Sequence, residues 1–171
     1  MTEFEIRAAQ PGDAGALVEL ARAVGSEPEG WLISESSWRS VSEERRYLKA
    51  VRRFPHAAVF VAEMDDGTLA GRLSVARDQH PASGHVADLG LIVSAAHRRR
   101  GIGRRLLETA VDWARESGIR KLELHVFPHN APAIALYESF GFRQEGYRRA
   151  HYRRDSGYVD AILMAYDVVP D

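Results

Sequence analysis

The sequence predicts an α+β fold, a mostly antiparallel sheet with one parallel crossover inside it. Three observations predict it. Apolar runs on either side of Asp65-Asp66-Gly67 read as an antiparallel hairpin. Between Val86 and Phe127 an apolar strand, an amphipathic helix and an alternating strand follow one another; a unit of that length joins a parallel pair. Phe142 to Tyr152 and Tyr158 to Tyr166 then close the chain as an antiparallel pair around Asp155-Ser156-Gly157. This mixed order is α+β rather than doubly wound.

In chain order, Phe4 to Ala8 is a short strand with Phe4 and Ile6 on one face. Pro11, Gly12 and Asp13 mark a turn, and Asp13 is placed to cap the helix carrying Leu17, Leu20, Ala21 and Val24. Gly25 to Gly30 is loop, and Trp31 to Trp38 has no clear period. Ser42 opens a second helix with Tyr47, Leu48 and Val51 on its apolar side, and Pro55 ends it. Ala57 to Met64 and Leu69 to Ala76 are the hairpin strands, with Gly71 suited to a bulge or close packing. Asp78 to Gly84 is loop, and Val86 to Val93 is apolar enough for a strand buried on both faces. Leu106, Leu107, Ala110, Val111 and Ala114 recur at helical spacing, with Gly118 at the helix end. Lys121 to Phe127 alternates, with Leu122, Leu124 and Val126 on one face. Asn130 caps a helix that Gly141 stops after Phe140.

At 171 residues without repeats or a linker, the chain is expected to be one domain, residues 1–171. A formal charge of -1 gives no general pull toward nucleic acid or an anionic membrane. The absence of cysteine excludes disulfides, cysteine metal sites and a cysteine acyl-enzyme, and fits a reducing cytoplasm. No leader-like start or long apolar run occurs, so a soluble, unexported protein is expected.

The most informative stretch is the turn between the central strand and its helix. Arg98, Arg99, Arg100, Gly101, Ile102, Gly103 and Arg104 put small residues and positive charge at a helix mouth. Glycines let a ligand approach the backbone, and free amides with the helix dipole favour an anion. The turn therefore reads as the holder of a cofactor pyrophosphate. A dinucleotide fingerprint needs a third glycine where Leu106 stands, and a Walker turn needs Gly-Lys before Ser or Thr where Arg104 and Arg105 stand. The alternative is a basic, solvated helix start; a nucleic-acid patch lacks interleaved aromatics.

Arg98-x-x-Gly101-x-Gly103, between a strand and a helix, resembles the coenzyme A signature of GNAT-family N-acetyltransferases. NAPAIALYESFGF from Asn130 resembles the family segment in which Asn opens a helix, Tyr follows seven residues later and Gly-Phe closes it. EGYRRAHYRRDSGYVDAILMAYDV resembles the C-terminal hairpin of the phosphinothricin and amino-acid N-acetyltransferase-like branch. The resemblance implies a three-layer α/β/α GNAT fold with about four helices and a splayed parallel strand pair. Acetyl-CoA would enter the splay, with Leu91 and Val93 pairing with pantetheine, the amides from Arg99 to Arg104 holding pyrophosphate, and Asn130 bonding the pantetheine arm. It also implies a homodimer.

Acetyl transfer to an amine needs a base or water route for the amine proton, a polarised carbonyl, close placement and a proton for the leaving thiolate. Without cysteine, direct attack is the natural scheme. Asp88 is the candidate base: a carboxylate inside an apolar strand needs a reason, and burial raises its pKa. It stands where the resembled branch carries Glu. Tyr137 matches the family tyrosine and is the candidate acid. The structural alternatives are a carboxylate bonded to backbone or arginine and a tyrosine packed on the core. His85 and His125 are rival bases; with His129 they show no metal-ligand spacing, so no metal is expected. Trp31, Trp38, Tyr147 and Tyr152 are candidates for an acceptor wall. Asp160, with Tyr158 beside it, is either an acceptor-site carboxylate or a hairpin bond acceptor. The acceptor expected from the resemblance is a small primary amine, an amino acid or a phosphinothricin-like compound. The alternatives are a protein N-terminus or lysine, or coenzyme A binding without turnover.

Overall fold

The computed structural model describes residues 3–33 and 39–169. Seven strands form one sheet in the order β1-β2-β3-β4-β5-β7-β6. They are β1 (Phe4–Ala8), β2 (Ala57–Met64), β3 (Leu69–Arg77), β4 (Val86–Val93), β5 (Lys121–Val126), β6 (Arg143–Arg154) and β7 (Gly157–Asp167). All neighbours run antiparallel except β4 and β5. Among the described residues, four α-helices flank the sheet: α1 (Ala14–Gly25), α2 (Val41–Val51), α3 (Ile102–Glu116) and α4 (Ala131–Phe140).

The period of two in each strand divides the core between the faces. Ala87 and Leu89 of β4 join Leu122, Leu124 and Val126 of β5 under α3, with Tyr137 of α4 in the same cluster. Ile92, Val59 and Val61 face the other way, against Leu17, Ala21 and Leu48 of α1 and α2. Gly71, suited to a bulge or close packing, meets both: the β2–β3 register shifts beside it, between Ala62 and Glu63, and a Cβ there would lie 3.0 Å from Ile102 Cγ2 and from Leu106 Cδ1. The end of α3 is a Schellman turn, with Gly118 at φ 73° and the Ile119 amide donating to the Ala114 carbonyl at 2.8 Å.

Three expectations are corrected. Asp13 does not cap α1 with its side chain; its carboxylate instead accepts from Arg7 and the Gln10 amide, because a strand arginine is close enough to take it. Helix α2 starts at Val41 rather than Ser42, since Ser40 and Glu43 form a reciprocal capping box. Strand β4 is not buried on both faces: Asp88 and Gly90 open into a cavity, because β5 turns away beside them.

A buried ion pair ties α2 to β3. Arg72 is 4% exposed and Glu44 0%. Glu44 accepts from Arg72 at 3.1 Å and from Arg39 at 2.8 Å. Removing the carboxylate leaves buried positive charge, so Glu44→Ala is expected to cost about 3–5 kcal/mol, read as a lower urea midpoint.

Candidate active site

The parallel pairing of β4 and β5 lasts three residues: Val86 with Lys121, Ala87 with Leu122, and Asp88 with Glu123. Beyond Asp88, β4 continues to Val93 and β5 to Val126 without pairing to each other, each still paired to its outer neighbour. The carbonyl of Val86 accepts from β3's side, through the Asp78 amide, and that of His85 accepts from Arg120 and Lys121 on β5's side. Strand alternation then turns the main-chain groups of Leu91 and Val93 toward the gap. An edge of this kind can take an added extended ligand.

The mouth of the gap is the turn before α3. Arg99 and Gly101 adopt left-handed φ values of 64° and 83°. Arg99 is thus a non-glycine residue held in the left-handed region, which costs backbone strain. The Arg105 amide bonds back to Gly101, so the amides of Ile102, Gly103 and Arg104 precede the first helical bond and face outward. Gly103 has a different reason to be small: a Cβ there would lie 2.8 Å from Leu136 Cδ2 of α4. Arg98 turns its side chain away from the turn, with Nε donating to the Val93 carbonyl at 3.1 Å and both Nη atoms to Glu27. Arg100 leans on Glu3 at 3.5 Å, and Arg104 lies 3.6 Å from Glu108.

A cavity of about 930 Å3 passes through the sheet at the splay. On the α3 and α4 side it meets the turn, Asn130, Leu136 and Tyr137; on the α1 and α2 side it meets Asp88, His125, Tyr152, Arg72 and Trp31. Burial, then the charges of Glu123 and Asp78, push the Asp88 carboxyl up to about 6. The residue is reached from the open cavity, while the surrounding walls displace water from the carboxylate. Burial also raises the Tyr137 phenol well above its ordinary value, so it holds its proton. His125 shares a 2.6 Å hydrogen bond between Nδ1 and the Tyr152 hydroxyl. Burial and the nearby Arg148 and His151 hold it below the usual histidine value. Asn130 caps α4 by accepting from the Ala133 amide at 3.3 Å.

The structure thus brings Asp88, Tyr137, His125, Trp31 and Tyr152 to one cavity with the turn. It does not bring His85, which is exposed and outside the lining. Asp160 serves the hairpin: it accepts from Tyr147 at 2.6 Å and from the amide of Ala150, a residue with φ 49°, at 2.7 Å. Tyr158 is 70% exposed. Trp38 lies outside the described residues. Sequence reading missed Arg39, Tyr47, Arg72 and Ser74 in the lining. A signal existed for Arg72, a charge inside an apolar strand like Asp88. Among the described residues, no group of three or more metal-ligating side chains is placed to hold a metal ion, and no helix is long and apolar enough to cross a membrane.

The profile of the Acetyltransferase (GNAT) family matches residues 28–142. The chain belongs to the GNAT acetyltransferase family. It is an N-acetyltransferase by that membership, and the family's acyl donor is acetyl-CoA. Among its relatives, L-amino acid N-acetyltransferase AaaT of Escherichia coli (strain K12) is 30% identical over 176 aligned positions, covering 96% of this chain and 98% of the relative. N-alpha-acetyltransferase RimI of Mycobacterium tuberculosis is 33% identical over 161, covering 92% and 94%. A GNAT-family acetyltransferase structure from Streptococcus pneumoniae superposes with a TM-score of 0.87 at 29% identity, covering 96% of this chain and 99% of that one. The seven-stranded, mostly antiparallel sheet with one parallel pair and four helices is the GNAT fold.

Proposed function

We propose that this GNAT protein moves the acetyl group of acetyl-CoA to the primary amine of a small molecule, an amino acid or a phosphinothricin-like compound, by direct attack with both substrates bound. The observation that carries the reading is the through-sheet cavity, which joins the amide-lined turn and Tyr137 on one face to Asp88 on the other. The amino-acid class draws support from AaaT, a relative aligned over 96% of this chain.

The residues present fit the cofactor. Nothing lies within 4 Å of where a Gly101 side chain would begin, so a diphosphate can reach the amides of 102–104. In this reading Leu91, Val93 and Asn130 meet the pantetheine, and the turn from Arg98 to Arg104 meets the pyrophosphate. Arg99 has no hydrogen bond or ion pair among the described residues and is exposed, so its guanidinium is the one we assign to the 3′-phosphate. Acetyl-CoA supplies an acetyl thioester. Asp88 takes the amine proton, through a bridging water where the acceptor stands beyond contact. Tyr137 holds a proton at its hydroxyl for the departing sulfur. His125 is a poorer base, since its ring is already committed to Tyr152.

Tyr137→Phe is expected to lower kcat by about 10²-fold with CoA affinity kept, checked by steady-state kinetics alongside calorimetry. Acetyl-CoA turnover against amino acids, polyamines, aminoglycosides and peptides tests the acceptor class; an amino-acid substrate is the expected result. The RimI relative favours a second reading, a protein N-terminus, and turnover of peptides alone would select it. The same reading places the protein in the cytoplasm as a homodimer without a nucleic-acid partner, and sedimentation tests the dimer.

A further inference from the structure

The loop after α1 bridges the two walls of the wedge. Glu27, at its start, accepts from Arg98 Nη1 at 2.8 Å and Nη2 at 2.7 Å, a bidentate pair at the end of the β4 side. Its Oε2 also accepts from Trp31 Nε1 at 3.0 Å. Trp31 stacks on His129 with ring centres 5.8 Å apart, and His129 stacks on Phe127 at 5.4 Å, just past β5. His129 Nε2 donates to the Glu29 carbonyl at 3.0 Å. Arg154 donates to the Gly30 carbonyl at 2.9 Å. The loop is therefore pinned to both diverging strands.

An arginine fork on a carboxylate fixes both groups in one plane. Here the fork does more than hold a loop. Arg98 Nε donates to the carbonyl of Val93, so the guanidinium that Glu27 fixes also sets a main-chain group of the unpaired β4 edge. The same carboxylate holds the indole of Trp31, which lines the acceptor side of the cavity. One side chain thus joins the edge where cofactor binds to the wall where acceptor binds. With 17% of the Glu27 side chain and 34% of the Arg98 side chain exposed, solvent screens the pair less than it would a surface bridge.

We propose that Glu27 is a positioning residue that makes the β4 edge and the Trp31 wall one cooperative unit, so that coenzyme A in the wedge orders residues 26–33. This rests on the reading that coenzyme A occupies the wedge. A ligand that favours the Arg98–Val93 arrangement favours the loop conformation built on it, and linkage makes the effect reciprocal: bound cofactor tightens acceptor binding. Arg98 then acts through Glu27 and Val93 rather than as a phosphate ligand through its side chain.

Calorimetry with CoA and hydrogen exchange with and without CoA test this together. In the wild type, CoA is expected to slow exchange in peptides covering 26–33 by about tenfold, within the usual range for coupled sites. Glu27→Gln is expected to bind CoA and to keep protection at the 99–105 turn while losing it at 26–33. Glu27→Asp, which keeps the charge, restores part of it. Should Glu27→Gln fail to fold, Arg98→Lys, which keeps charge but breaks the fork, gives the same expected loss. Protection at 26–33 that persists in the folded variant with CoA bound overturns the proposal. So does a wild type whose turn is protected by CoA and whose loop is not. No heat of CoA binding in the wild type overturns the wedge reading itself, and this proposal with it.

Discussion

Asp88→Asn is expected to lower kcat/KM for the amine by about 10²- to 10⁴-fold, with CoA affinity unchanged. The side chain is nearly isosteric and lies on the α1 and α2 side of the cavity, away from the amides of 102–104, so the loss should fall on proton removal. The pH profile carries the sign. A base must be unprotonated, and burial places Asp88 at about 6, so wild-type kcat/KM should fall as pH drops through about 6. That acid limb should vanish in the variant. Stability moves the other way. The folded-state value lies above the ordinary 3.8, so the folded protein holds this proton more tightly than the unfolded chain does. The contribution is full below about 3.8 and lost as pH rises through about 6. Asparagine never ionises, so the variant should melt higher than wild type at pH 7, which a thermal scan checks.

Gly101→Asp is expected to weaken CoA binding by about 10³-fold. A carboxylate about 4 Å from a phosphate at an effective dielectric near 20 costs about 4 kcal/mol. A non-glycine residue at φ 83° adds about 1–2 kcal/mol of backbone strain. Gly101→Ala separates the two causes. Its Cβ meets nothing within 4 Å, so it keeps the strain without the charge and should bind CoA within about tenfold of wild type. Calorimetry reads both variants, and a melt reads the strain shared by both.

What the sequence made legible follows from short-range chemistry. The strand–turn–helix unit around Gly101 and the cap at Asn130 need only local periodicity and known terminal preferences, and both stand where they were expected. The splay, which only the family resemblance implied, is present: β5 leaves β4 after three paired residues. Asp88 stood out as a charge in an apolar run, yet the idea that β4 is covered on both faces ignored what a diverging neighbour exposes. Long-range pairs were hidden. Glu27 and Arg98 are 71 residues apart and Glu44 and Arg72 are 28 apart, so no window on the sequence joins them. The reading of Asp13 as a cap failed for the same reason, since its partner Arg7 comes from a strand rather than the helix it precedes. Asp160 matched a family segment, and only the left-handed Ala150 opposite it shows that its carboxylate braces a hairpin.

A crystal structure of the protein grown with CoA would show whether the cofactor occupies the wedge between β4 and β5. The expected result is a pantetheine chain lying between β4 and β5, its amides bonded to Leu91 and Val93, and its diphosphate on the amides of 102–104. Strands drawn together along their full length, or CoA bound at any other surface, would contradict it.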